Sequence, residues 1–88
     1  MKEYDTESEI FKALSHPIRI KILMGLKHHN NCNVSLMAEK LQIPQSSVSQ
    51  HLAMMKSRGI IYPKKDKVKT CYQIVNPLVL KILELIES

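Results

Sequence analysis

Apolar residues recur along this chain with two different periods, and the change of period marks out its elements. Ile10, Phe11 and Leu14 fall on one stripe of a first helix, and Ser15-His16-Pro17 breaks it, since the residue before a proline is pushed out of helical angles. Pro17 opens a second helix, where a missing N–H costs nothing. Ile18, Ile22 and Leu26, with Ile20, Leu23 and Met24 beside them, leave this helix little polar surface, so it is expected at the centre of the core; His28-His29-Asn30-Asn31 ends it. Val34, Met37, Ala38 and Leu41 follow the i, i+3, i+4, i+7 rule and predict a short third helix with Asn33 or Ser35 as N-cap. After the turn Gln42-Ile43-Pro44, a fourth helix runs from about Gln45 to Ser57 with Val48, Leu52 and Met55 inward and Gly59 as a left-handed cap. The period then shortens. Ile60 to Pro63 and Lys69 to Val75 read as two strands joined by Lys65-Asp66-Lys67.

Pro77 opens a last helix in which Leu78, Val79, Leu80, Ile82, Leu83, Leu85 and Ile86 leave almost no polar face. Such a helix needs two apolar covers. Its own domain supplies one, and a second copy across a two-fold axis is the economical source of the other. The expected dimer interface therefore takes Ile10, Phe11 and Leu14 from the first helix and Leu78, Val79, Ile82, Leu83 and Ile86 from the last. The whole order, four helices, two strands and a helix, predicts a mainly α fold with a small β-hairpin wing, a winged helix-turn-helix spanning residues 1–88 as one domain. A chain of 88 residues buries only roughly 60–65% of its unfolded surface, which a dimer would relieve.

Charge sharpens this picture. The formal net charge is +5 and the pI is near 9.4, which points to an anionic partner. Met1 to Ile10 carries one Lys against four acids, whereas Phe11 to Asn76 carries eleven basic residues against Glu39 and Asp66 alone. The positive excess is concentrated on the middle elements. Two cysteines far apart, with no secretory leader pattern, place the chain in a reducing cytoplasm rather than among disulfide scaffolds. No apolar run reaches transmembrane length, and low-complexity segments and repeats are absent. An enzyme is disfavoured because there is no Gly-rich phosphate loop, no complete metal set and no nucleophile with a matching base.

The most informative stretch is Pro44 to Leu52, Pro-Gln-Ser-Ser-Val-Ser-Gln-His-Leu. Ser46, Ser49, Gln50 and Ala53 share the face opposite Val48, Leu52 and Met55, so hydroxyl and amide groups point away from the core. Gln pairs bidentately with adenine and Ser with either kind of edge, which makes this a candidate recognition helix for double-stranded DNA. His51 lies between the two faces, where base readout competes with a packed ring bonded to phosphate or backbone. Lys64, Lys65, Lys67 and Lys69 of the hairpin, with Lys56 and Arg58 at the helix end, are the candidate phosphate contacts.

Three segments together, Ala13-Leu14-Ser15-His16-Pro17-Ile18-Arg19, Pro44 to Leu52 and Cys71-Tyr72-Gln73-Ile74, resemble the ArsR/SmtB family of small dimeric repressors over nearly the whole chain. The resemblance implies a dimeric winged-helix repressor released from its operator by an inducer, with Gln45, Ser46, Ser49 and Gln50 at DNA-contacting positions and Ser47 in the same helix turn. Departures from the family pattern matter as much. Asn33, Val34 and Ser35 stand where metal-sensing members have Cys-Val-Cys, and Asn76, Pro77 and Leu78 stand where others have an Asp-x-His zinc pair. No histidine follows His51, and the last helix offers only Glu84 and Glu87, so no metal or other cofactor is expected and the chain resembles a metal-blind, PagR-like or HlyU-like branch. His28, His29 and Cys32 make an incomplete ligand set. Gln42 and Lys67 replace glycines usual in the family's turns. Cys32 and Cys71 are a possible thiol pair for redox sensing, and a protein-interaction module on the same scaffold is the rival reading.

Overall fold

Side-chain and proline signals start most of the helices where the periodicity places them. In the computed structural model, which describes residues 3–29, 32–66 and 69–88, helix α1 is Asp5–Leu14, α2 Pro17–Lys27, α3 Val34–Leu41, α4 Gln45–Ser57 and α5 Pro77–Glu87, with strands β1 (Ile61–Asp66) and β2 (Lys69–Ile74) between α4 and α5. Asn33 Oδ1 accepts from the Leu36 N–H at 2.9 Å, and Asn76 Oδ1 accepts from Leu78 and Val79 at 2.9 and 3.3 Å. His16 serves as the N-cap of α2, its Nδ1 accepting from the Ile18 N–H at 3.1 Å. Each acceptor meets an N–H that a helix start leaves without a partner.

The two helices of the helix-turn-helix end in the same way. At the end of α3, Gln42 N–H donates to Glu39 O and Ile43 N–H to Ala38 O; at the end of α4, Gly59 N–H donates to Lys56 O and Ile60 N–H to Met55 O. This paired pattern needs a left-handed residue. Gln42 sits at φ 57° and Gly59 at φ 71°. The turn between α3 and α4 is therefore closed by a residue with a Cβ, in a conformation that favours glycine.

Leu23, Val48, Leu52, Met55, Ile60, Ile61, Val79 and Leu83 are the largest fully buried side chains. They come from α2, α4, the α4–β1 junction, β1 and α5, so the core lies between the central helix, the inner face of α4 and the base of the hairpin. The sheet is an antiparallel pair running from Ile61 opposite Ile74 to Asp66 opposite Lys69. The expected turn at Lys65-Asp66-Lys67 is thus displaced: β1 continues through Lys64 and Lys65, which pair with Cys71 and Thr70, and Lys67 lies outside the described residues. Lysine accepts extended backbone when its neighbours supply the ladder, and β-propensity alone ended the strand too early. Pro63 fits because the strand has a free edge.

The two left-handed positions give opposite expectations. Gln42→Gly should stabilise the fold by about 0.5–1 kcal/mol, and Gly59→Ala should cost about 1 kcal/mol. A Cβ at Gly59 meets nothing within 4 Å, so that cost is conformational and not steric. Urea unfolding of the two variants checks both signs.

Candidate nucleic-acid interface

Burial of one face of α4 decides what the other face presents. Val48, Leu52 and Met55 are buried, which leaves Gln45, Ser46, Ser49, Gln50 and Ala53 exposed and Ser47 and His51 half-buried at the margin. Gln45 Nε2 donates to Ser35 Oγ at 3.4 Å, tying the first turn of α4 to α3. Pro44 stands at the N-cap and offers no side-chain acceptor, so the N–H groups of the first turn are not capped by a side chain. Sequence reading missed this feature, although a proline immediately before the helix was its visible signal.

The basic residues do not form a single cluster. Lys56 is exposed near the end of α4. Arg58 is also exposed, but its Nη2 lies 3.9 Å from a Glu9 carboxylate oxygen and its Nη1 donates to Ser57 Oγ at 2.9 Å. An exposed pair of that length is weak, and the guanidinium is not committed to it. In the hairpin, the register places Lys64 and Lys69 on the face shared with Cys71, and Lys65 on the face shared with Thr70. All three are exposed.

His51 meets side chains from outside its own helix. Arg19 Nη1 lies 3.3 Å from His51 Nδ1, and the His16 ring stands edge-on to the His51 ring with centroids 4.7 Å apart. Burial first, and then His16 and Arg19, hold the His51 pKa below the ordinary imidazole value. The ring is therefore uncharged at neutral pH. Nothing in the chain's periodicity signals this contact; the residue types at positions 16, 19 and 51 were visible, their meeting was not.

The expected interface residues divide. Ile10, Leu14, Val79 and Leu83 are buried in this chain's own core at 3%, 8%, 0% and 0% exposure, so they offer almost nothing to a partner. A helix that is apolar all round does not reveal which stripe its own domain takes. Phe11, Leu78 and Ile86 remain exposed at 52%, 37% and 54%, together with Tyr4 and Leu85, and Ile82 is partly buried against the core.

The two cysteines meet. Cys32 and Cys71 form a disulfide with Cα atoms 4.7 Å apart across 39 residues of sequence. The two residues raised as a possible thiol pair are thus brought together, while their redox role stays a proposal. The basis of their meeting is the neighbouring backbone: Tyr72 N–H donates to Cys32 O at 2.9 Å, which lays the segment before α3 along β2. Both cysteines line a cavity of about 490 Å³ with His29, Lys64 and Tyr72. His28 bonds Glu87 instead of a metal-ligand neighbour, and Lys27 pairs with the same carboxylate, whose pKa is lowered by hydrogen bonds from Lys27 and His28. Among the described residues no three His, Cys, Asp or Glu side chains gather as a metal site. No helix of the described residues is long and apolar enough to cross a membrane.

Comparison with known proteins places these features. The family described as bacterial regulatory protein, arsR family, matches residues 16–62. Over 88 residues the chain is 33% identical to an HTH-type transcriptional regulator of Methanocaldococcus jannaschii, covering 100% of this chain and 99% of that protein. It is 34% identical over 82 residues to the transcriptional repressor PagR of Bacillus anthracis, 93% of this chain and 82% of the repressor. The PagR crystal structure superposes with a TM-score of 0.84, covering 93% of both chains. HlyU from Vibrio cholerae superposes with a TM-score of 0.86 at 26% identity, covering 99% of this chain and 95% of that one.

Proposed function

This chain belongs to the arsR family of bacterial regulatory proteins, a winged helix-turn-helix family of DNA-binding transcriptional regulators and not of enzymes, and from that membership we propose a homodimeric repressor that reads a pseudo-palindromic operator. The observation that carries the reading is the outward row Ser46, Ser49 and Gln50, exposed on a helix whose opposite stripe is fully buried. These side chains read base edges in the major groove, while the N–H groups of the α4 first turn, which no side chain caps, Lys56, Arg58 and the wing residues Lys64, Lys65, Lys67 and Lys69 take phosphates. PagR is named a repressor and HlyU a transcriptional activator, and the proposed sign follows PagR, the more similar of the two.

Dimerisation follows from what the core leaves over. Tyr4, Phe11, Leu78, Leu85 and Ile86 expose apolar surface on the first and last helices. A second copy is the natural cover, and it sets the two recognition helices one helical turn of DNA apart, about 34–36 Å.

A second reading is favoured by the Cys32–Cys71 bond: a regulator whose DNA affinity depends on thiol state. The bond ties the segment entering α3 to β2, hence the helix-turn-helix to the wing. Its formation takes two protons and two electrons from the thiols, and hydrogen peroxide accepts them to give two waters. Reduction by an external dithiol reverses the step.

Fluorescence anisotropy on a duplex from upstream of the protein's own gene, against a shuffled duplex at two salt concentrations, tests the DNA reading; a preference of roughly a thousandfold is expected. Gln50→Ala should lose about 1–3 kcal/mol on the specific duplex only, whereas Lys65→Ala should weaken both and lower the salt slope by about one. Equal losses for both variants on both duplexes would reject the division of roles. Ile86→Lys should give folded monomers in sedimentation, while Leu83→Lys, which inserts a charge into the core, should fail to fold. An unchanged dimer in Ile86→Lys would reject the assigned face. For the thiol reading, adding dithiothreitol should change operator affinity of the wild type by about tenfold and leave Cys71→Ser unmoved; an identical isotherm in both states removes that reading.

A further inference from the structure

Arg19 stands in the first turn of α2, yet its side chain serves two other helices. Nε donates to the Ala13 carbonyl at 2.6 Å and Nη2 reaches the Lys12 carbonyl at 3.5 Å. Both belong to the last turn of α1; the Lys12 carbonyl also accepts from the Ser15 N–H at 3.2 Å, so the short bond to Ala13 is the stronger tie. The third nitrogen, Nη1, faces His51 Nδ1 at 3.3 Å on α4. A guanidinium can only donate, so Nδ1 is the bare nitrogen and the proton of the neutral ring is on Nε2. His16 packs edge-on against the same ring, and its own Nδ1 is occupied by the Ile18 N–H. Among the described residues no carboxylate pairs with Arg19 or His51.

We propose that Arg19 is a positioning residue for DNA recognition, which seats α4 against the end of α1 through the neutral His51 ring and so couples the reading helix to the helix that carries exposed Phe11. Among the described residues, a further polar link from α1 to the C-cap of α4 is the exposed Arg58–Glu9 pair, which water and salt weaken. Arg19 is half-buried and its fork is fixed at three points, so it sets the angle that the surface pair cannot. The inference rests on the DNA reading above. It also has a sign in pH. His51 must stay unprotonated to accept from Arg19; a proton on Nδ1 faces the guanidinium and His16 with a third donor. Sequence-specific affinity therefore falls as pH drops through the ring's pKa in the folded protein, the reverse of what a gain of positive charge does for DNA binding in general.

The test uses the full chain and the tightest duplex selected from a random-sequence pool, with a shuffled duplex as control. Arg19→Met and His51→Leu should each lose about tenfold on the selected duplex, the double variant should lose little more than either, and the salt slope should not change. Arg19→Lys, which keeps the charge and loses the fork, should behave like Arg19→Met. His51→Asn, which keeps an acceptor near the place of Nδ1, should stay within about threefold of wild type and lose the decline in affinity that the wild type shows at pH below the ordinary imidazole range. Unchanged binding to the shuffled duplex verifies that each variant is folded. Additive losses, a slope lowered by about one in Arg19→Met, or a pH profile that His51→Asn does not flatten would each overturn the positioning role. A pool from which the wild type enriches no sequence would overturn the DNA reading itself and this inference with it.

Discussion

Burial of Val48, Leu52 and Met55 is the constraint on which the rest of the molecule depends. Each fully buried aliphatic side chain contributes about 1.5–3 kcal/mol, and the three lie on one stripe of α4, so rotating the helix by half a turn would expose all of them at once. The rotation of α4 about its axis is thereby fixed. Ser46, Ser49 and Gln50 are outward as a consequence of what is inward, and no interaction of their own is needed to aim them. The left-handed caps at Gln42 and Gly59 then fix where α4 starts relative to α3 and where the chain leaves it for β1. A recognition surface arises here as the remainder of a packing problem.

The wing depends on a different set of contacts. Ile61, Tyr72 and Ile74 anchor its base to the core, and the outer pairs, Lys65 with Thr70 and Asp66 with Lys69, continue the ladder beyond them. A two-stranded ribbon is marginal in isolation, so any tie between it and the helices carries weight beyond its size. The Cys32–Cys71 bond and the Tyr72–Cys32 hydrogen bond both act at that point, halfway along β2 and just before α3. The lysines that follow from this register divide between two faces of the ribbon, Lys64 and Lys69 on one and Lys65 on the other, so they do not form one charged face.

Most of the fold was legible because it is built from local signals. The start of α4 after Pro44, its end before Gly59, the Asn33 cap and the proline starts of α2 and α5 all follow from residues within a turn of the feature they determine. The outward face of α4 was legible for the same reason, since periodicity within one helix is a local property. Apart from the end of β1 and the missing side-chain cap of α4, what failed to be legible was a meeting between distant segments. The spacing of 39 residues between Cys32 and Cys71 carries no information about distance in space, and neither did the 32 residues between Arg19 and His51. The interface residues failed in an instructive way: all were correctly read as apolar, but period alone does not divide an apolar helix between its own core and a partner's, and Ile10, Leu14, Val79 and Leu83 went to the core.

That division also explains why so small a chain keeps apolar surface in reserve. Packing Val79 and Leu83 of α5 against the central helix satisfies one stripe and leaves Leu78, Leu85 and Ile86 facing away from it, while α1 does the same with Ile10 and Leu14 inside and Phe11 outside. The two helices are at opposite ends of the sequence, yet each turns one apolar side inward and one outward. Neither end can give up its outer side chains to the core without unburying the inner ones, so a single copy cannot cover its own reserve. The homodimer proposed above would cover it, and would place α1, the helix that Arg19 reaches, at the joint between copies. In that proposed pair the angle between the two α4 helices would be set by the contacts that seat each α4 within its own copy.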